Sequence, residues 1–282
     1  QLKWYMNIPL FSYLFLKGKC AFCKTKISFQ YPIVEFITGC AFLASYFAFG
    51  LSLKTFFVCI FLALYIVMSA TDFIETVILD YHAYILLAVA LLYSYFGLGD
   101  INIIQSLIGA GFGFLLFEIF ARIGHLFAGC RMFGEGDSLI ALGLGATFGW
   151  RGMLIIFAMS IFLQSICSIP VMVKKAIKQG KNKLAISYLA VFFSLILMCL
   201  NNYFSFKISN LLYYSIVLPV VAVLLWALKN IVHEIKQKSV DESQTEEEKF
   251  CLLPFGPALL VSATVCVFYF SLIKDLIKGF IA

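Results

Sequence analysis

Nine apolar stretches, most of them near the length of a bilayer crossing, limit how this chain can fold. They lie at about 32–50, 54–71, 82–97, 102–121, 138–150, 152–172, 184–201, 210–228 and 254–273. A helix needs about 20 residues to cross the hydrocarbon core, with a range near 17–25. Only 13% of the residues are charged and 62% are hydrophobic, where a soluble domain carries roughly 25% charged residues. The expected fold is all-α: a polytopic membrane bundle of about nine helices, with a small N-terminal cytoplasmic domain that contains cysteines. The run at 138–150 is short, and its Gly143, Gly145 and Gly149 permit close approach of a neighbouring helix. The 31 Phe and 14 Tyr suit lipid-facing and interfacial positions.

Loop charges orient the bundle. With nine crossings and the head inside, residues 1–31 and the loops at 72–81, 122–137, 173–183 and 229–253 share one side. They carry 16 of the 21 Lys and Arg residues, and the opposite side has Lys54, Arg151, Lys207, Lys274 and Lys278. The positive-inside rule then makes the head side cytoplasmic. If 138–150 did not cross, the Lys-rich loop at 173–183 would fall outside, so the charge pattern supports that short span. The net charge of +6 follows from these loops and calls for no nucleic-acid partner. No secretory signal pattern is visible at the start. The chain opens at Gln1 without a Met, and an upstream segment is expected.

The organisation is a Lys-rich head at 1–31, a membrane core at 32–172, an insertion at 173–253 and a last helix in 254–282. The insertion contributes a helical hairpin and a polar loop. Its stretch at 236–249, charged in both signs, reads as a flexible loop.

Acidic residues are scarce here, and a carboxylate at the edge of a bilayer is costly unless it has a task. Asp72 ends the second apolar run. Asp137 closes Gly134-Glu135-Gly136-Asp137 at the start of the fifth. Gly134 and Gly136 let the backbone turn tightly or approach a neighbour. Both aspartates fall on the cytoplasmic face and are the candidate catalytic pair. Two carboxylates about 3 Å apart share a proton. The ionised one activates water, and the protonated one donates to the scissile carbonyl. This chemistry requires no metal. The plain alternative for Asp137 is a helix N-cap, and for Asp72 a solvated helix end, unfavourable to its own helix dipole. Asp80 reads as an N-cap that supports the loop, and Glu75 and Glu135 as carboxylates able to tune the pair. His82, His125 and His233 show no nucleophile signature beside them.

Cys20-Ala21-Phe22-Cys23 is half of a four-thiolate zinc site, since structural zinc takes four ligands. The alternative is two reduced cytosolic thiols. The other seven cysteines lie in or beside apolar runs and act as small hydrophobes.

In order along the chain, the residues are Tyr5-Met6-Asn7-Ile8-Pro9-Leu10, Cys20-x-x-Cys23, Tyr31-Pro32-Ile33-Val34-Glu35, Asp72 with Asp80, Gly134-Glu135-Gly136-Asp137 and Leu253-Pro254-Phe255-Gly256-Pro257. This succession resembles the type IV prepilin leader peptidases, membrane aspartyl proteases of the Gly-x-Gly-Asp type. The resemblance implies removal of the basic leader from prepilins and pseudopilins of type IV pilus, type II secretion or competence systems. Cleavage would fall after a glycine, on the cytoplasmic side of a bacterial inner membrane. Many members then methylate the new N-terminus with S-adenosylmethionine. The resemblance maps the catalytic aspartates onto Asp72 and Asp137. It maps zinc ligands onto Cys20 and Cys23, with a further Cys pair expected just before Gln1. Ile74 and Leu79 depart from the family's usual Asp and Pro, and the 173–253 region is longer than usual.

Two other readings stay open. One is a peptidase without methyl transfer, as in preflagellin peptidases. The other is a cation transporter that uses Asp72 and Asp137, although transporter sites lie near the midplane. The presenilin and signal-peptide-peptidase group shares Gly-x-Gly-Asp, and Pro257-Ala258-Leu259 echoes its Pro-Ala-Leu motif. The cysteine head and the Pro-Phe-Gly-Pro context argue against it.

Overall fold

The computed structural model describes residues 10–75, 78–128, 133–178 and 254–281, with scattered positions between 180 and 226. The runs at 184–201 and 210–228 and the loop at 236–249 fall largely or wholly outside the described residues. What is described is helical: α1 (Phe11–Phe15), α2 (Gln30–Phe49), α3 (Leu53–Glu75), α4 (Asp80–Tyr95), α5 (Ile103–Ala128), α6 (Glu135–Lys178) and α7 (Gly256–Ile281). Among the described residues four helices, α2, α3, α5 and α6, are long and apolar enough to cross a membrane.

The buried side of α3 follows its helical period: Phe57, Val58, Phe61, Leu62, Tyr65, Met68 and then Asp72. Residues three and four apart share a helix face, so Asp72 continues the inward stripe at the helix's last turn. Large apolar side chains elsewhere, such as Phe36 and Phe47 on α2 and Phe56 on α3, are exposed, as suits a surface that faces lipid.

The long α6 is two helices that meet at Gly149, where φ is +70° and ψ 176°. Glycine takes a positive φ without steric penalty. The two arms fold back on each other. Phe133, just before α6, and Phe157, on its second arm, have ring centroids 6.3 Å apart. A straight helix would separate them by roughly 35 Å at 1.5 Å per residue. The sequence-level division into runs at 138–150 and 152–172 therefore corresponds to a real reversal.

α5 packs most extensively on α6, and there the backbones touch. A Cβ on Gly109 would collide with the Gly145 carbonyl, and one on Gly145 with the Gly109 carbonyl. One turn along, a Cβ on Gly113 would collide with the Ala141 carbonyl. Small residues at i and i+4 on both helices remove the side chains that would hold them apart. The Ser106 hydroxyl donates across the same seam to the Ala146 carbonyl at 2.6 Å. The close approach expected of the short glycine-bearing run is thus realised, and α5 is the partner.

Gly145→Val is expected to push α5 away from α6 and lower stability by about 1–3 kcal/mol, the usual cost of overpacking. Gly111→Ala, on the same helix but with open space around its Cα, should leave stability nearly unchanged. Thermal unfolding in detergent, compared between the two variants, checks this.

Candidate active site

Three helix ends meet at one end of the bundle: the last turn of α3, the first turn of α6 and the start of α7. The first supplies Asp72 and the second Asp137, each only 6% exposed. Asp72 lies against Gly256 and Asp137 against Gly134, and Ile78 touches both Gly256 and Gly136, which brings the two carboxyls into one site. Residues 65 positions apart are thereby brought to one end of the apolar bundle, away from its midplane. The opposite end contains Gly50, the 97–102 loop and the Gly149 turn.

Asp137 is not an N-cap. α6 begins at Glu135, so Asp137 is its third residue and reaches back. Its Oδ2 accepts a hydrogen bond from the Gly134 N–H at 3.0 Å, the carboxylate half of a capping box. Negative charge is favoured in a helix's first turn, so cap geometry and burial place the same carboxyl.

Asp72 lies at the unfavourable end of its own helix, and the compensation comes from elsewhere. The start of α7 abuts it at Gly256. A Cβ on Gly256 would collide with Asp72 Oδ2. The N-terminus of α7 carries orphan N–H groups and partial positive charge. Pro257, second in the helix, is tolerated because the first-turn N–H groups have no intrahelical partner. Asp72 Oδ2 is buried and makes no hydrogen bond within the protein, which leaves one carboxylate oxygen free for a water or substrate atom.

An aromatic clasp holds the two glycine segments together. Phe133 precedes Gly134 and Phe255 precedes Gly256, and their rings meet edge to face at 4.8 Å between centroids. Phe117 of α5 packs on both, at 5.1 and 5.9 Å. Sequence reasoning missed this clasp. Its signal was an aromatic immediately before each glycine.

The supporting residues divide. Gly134 and Gly136 belong to the site. Ile78 lies against Gly136, where an added Cβ would come within 2.7 Å of the Ile78 Cβ. Asp80 is exposed and is the first residue of α4, whose N-cap is Leu79. The expected cap role therefore shifts by one residue, and its charge favours the first turn of α4 instead. Glu75 is exposed at the end of α3 and Glu135 opens α6. His82 lies in the first turn of α4, its ring 4.1 Å from that of Tyr81. The side chains of His125 and His233 lie outside the described residues.

Cys20 and Cys23 are far from this pair in sequence and sit in a small hairpin closed by a bridge between Lys19 and Lys26. The Cys20 N–H donates to the Thr25 carbonyl and the Lys24 N–H to the Cys20 carbonyl. The Thr25 hydroxyl lies 2.6 Å from the Cys23 sulfur and, with the Cys20 thiol nearby, brings the Cys23 thiol down to about 7. A thiol that ionises near neutrality suits metal ligation. Among the described residues no third His, Cys, Asp or Glu joins them, so they supply two donors of the four that structural zinc takes. The start of α1 is tied to α2 where the Leu10 N–H donates to Glu35 at 2.9 Å.

Comparison with known proteins matches the same two regions. Residues 1–49 match the bacterial peptidase A24 N-terminal domain, and residues 59–169 match the type IV leader peptidase family. The chain is 33% identical over 163 residues to the prepilin leader peptidase/N-methyltransferase of Bacillus subtilis, covering 55% of this chain and 60% of that protein. It is 32% identical over 153 residues to the protein of that name from Myxococcus xanthus, covering 54% of this chain and 45% of the other. For the Neisseria gonorrhoeae protein of the same name the figures are 29% over 171 residues, 61% and 59%. The chain thus spans about half to three-fifths of the length of these curated relatives. No solved structure matches it.

A double-mutant cycle tests the contact between Asp72 and Gly256 without reference to activity. Gly256→Ala should destabilise by about 1–3 kcal/mol. In an Asp72→Ala background the same change should cost much less, giving a coupling of about 1 kcal/mol or more in thermal unfolding.

Proposed function

Since the chain belongs to the type IV leader peptidase family, we propose that it is a membrane aspartyl endopeptidase that removes the leader from type IV prepilins and pseudopilins and methylates the new N-terminus. The observation that carries this reading is the convergence of two buried carboxylates, Asp72 and Asp137, at one end of an apolar helical bundle. Two carboxylates in one site share a proton. A water against the free oxygen of Asp72 is activated by the ionised member and attacks the scissile carbonyl. The protonated member donates to the carbonyl oxygen; the base, which now holds the water's proton, passes it to the leaving amine as the C–N bond breaks, and the hydroxyl proton of the tetrahedral intermediate returns to the first carboxyl. On this reading Asp72, whose Oδ2 makes no hydrogen bond within the protein, acts as the base, and Asp137, held by the Gly134 N–H, acts as the acid of the first step. A cation path is less well supported, because both carboxylates lie at a bundle end and not at the midplane.

The Lys and Arg bias of the loops supports a cytoplasmic catalytic face and a bacterial inner membrane. There the basic leader and the first residues of the substrate's apolar helix would meet the site. Methyl transfer comes with the relatives' names. S-adenosylmethionine would supply the methyl group. Zinc would be held in the head, with Cys20 and Cys23 giving two of its thiolates and the rest of the chain or protein the others. Its part is to hold the head's fold.

Asp72→Asn and Asp137→Asn should each lower leader removal from a co-expressed prepilin by about 10²–10⁴-fold, the usual contribution of a positioned acid or base. Methylation of an already cleaved pilin should persist in both. Full cleavage by either variant rules out the pair.

For the head, metal analysis of the purified full-length protein should find about one zinc per chain. Cys20→Ser with Cys23→Ser should remove it. A zinc content that the double variant does not change speaks against these ligands.

A further inference from the structure

Among the described residues, Ile78 is the loop side chain placed against both Gly136 and Gly256. It lies in the segment between α3 and α4, six residues after Asp72. Its Cδ1 would be 3.0 Å from a Cβ on Gly136 and 3.5 Å from a Cβ on Gly256. The second glycine is also the one whose Cβ would strike Asp72 Oδ2. Ile78 therefore packs into the space between the first turn of α6 and the start of α7, beside the carboxylates. It is half-buried against the core.

We infer that Ile78 sets substrate specificity, by restricting the residue that precedes the scissile bond to one without a side chain. The inference rests on the peptidase reading above. For a water on the carboxylate pair to attack, the scissile carbonyl carbon must come within about 3–3.5 Å of it. The Cα of the residue that owns that carbonyl is only about 1.5 Å further on. Its Cβ, if present, enters the space that the Ile78 side chain fills. The residue on the amine side is one bond more distant and less confined. Glycine presents a hydrogen there, while alanine brings a methyl group against the Ile78 Cδ1. The site's own glycines obey the same constraint, since Gly136 and Gly256 have no room for a Cβ beside Ile78 and Asp72.

Ile78→Val removes that Cδ1 and little else. The full-length protein, in detergent or in membranes, would be given prepilins that differ only in Gly or Ala before the scissile bond. The readout is the ratio of the two kcat/KM values. Ile78→Val should lower the Gly-over-Ala preference about tenfold, within the range one methylene confers in a tight pocket. Ile78→Ala should lower it further, through a gain of Ala cleavage relative to Gly cleavage. An unchanged ratio in both variants overturns the inference. So does loss of Gly cleavage in Ile78→Val, which would make Ile78 a prop of the fold. Asp72→Asn and Asp137→Asn are the parallel arm. If they still cleave, the assignment of the pair falls, while the ratio in Ile78→Val still reports on Ile78.

Discussion

A buried carboxylate at the C-terminal turn of a helix faces the wrong end of its own dipole, and Asp72 is in that position. The start of α7 lies against the same carboxyl, and the partial positive charge of a helix N-terminus offsets the cost. This contact tolerates no Cβ at Gly256. Because α7 follows Asp72 by some 180 residues, the site exists only when the last helix has docked. The constraint also makes the two carboxylates unequal. Asp137 receives its hydrogen bond from Gly134, within its own turn, whereas Asp72 depends on another helix.

The rest of the bundle keeps these ends in register. α5 and the first arm of α6 approach until their backbones touch, which fixes the height of Asp137 relative to α5. The turn at Gly149 then returns the second arm, so that Phe157 reaches Phe117 and Phe133. Phe133 in turn holds Phe255. An aromatic cluster thus lies behind the carboxylates and links α5, both arms of α6 and α7. Large rings suit this place because each buries much area and tolerates edge-to-face contact.

The helical class, the position of Asp72 and Asp137 at helix ends and the short run at 138–150 were legible without coordinates. Run length and charge placement report directly on the cost of polar groups in lipid. The roles of Ile78, Gly256 and the Phe133–Phe255 contact were not legible. In a membrane protein the lipid-facing and inward-facing sides are both apolar, so hydropathy does not say which Phe points inward. Asp80 shows the limit at finer scale: its type signalled a helix start, and the helix begins one residue earlier in register than its cap role required.

By itself, the amino-acid sequence determined that this chain is a helical membrane protein with Asp72 and Asp137 at helix ends. Composition and spacing alone enforce that, through the cost of charge in a bilayer and the length of a crossing. Tertiary structure alone decided which end of which helix compensates Asp72, and which loop side chain fills the space beside it. Those outcomes depend on contacts between segments far apart in the chain. A glycine's missing Cβ shows its purpose only when the atom that takes its place is known.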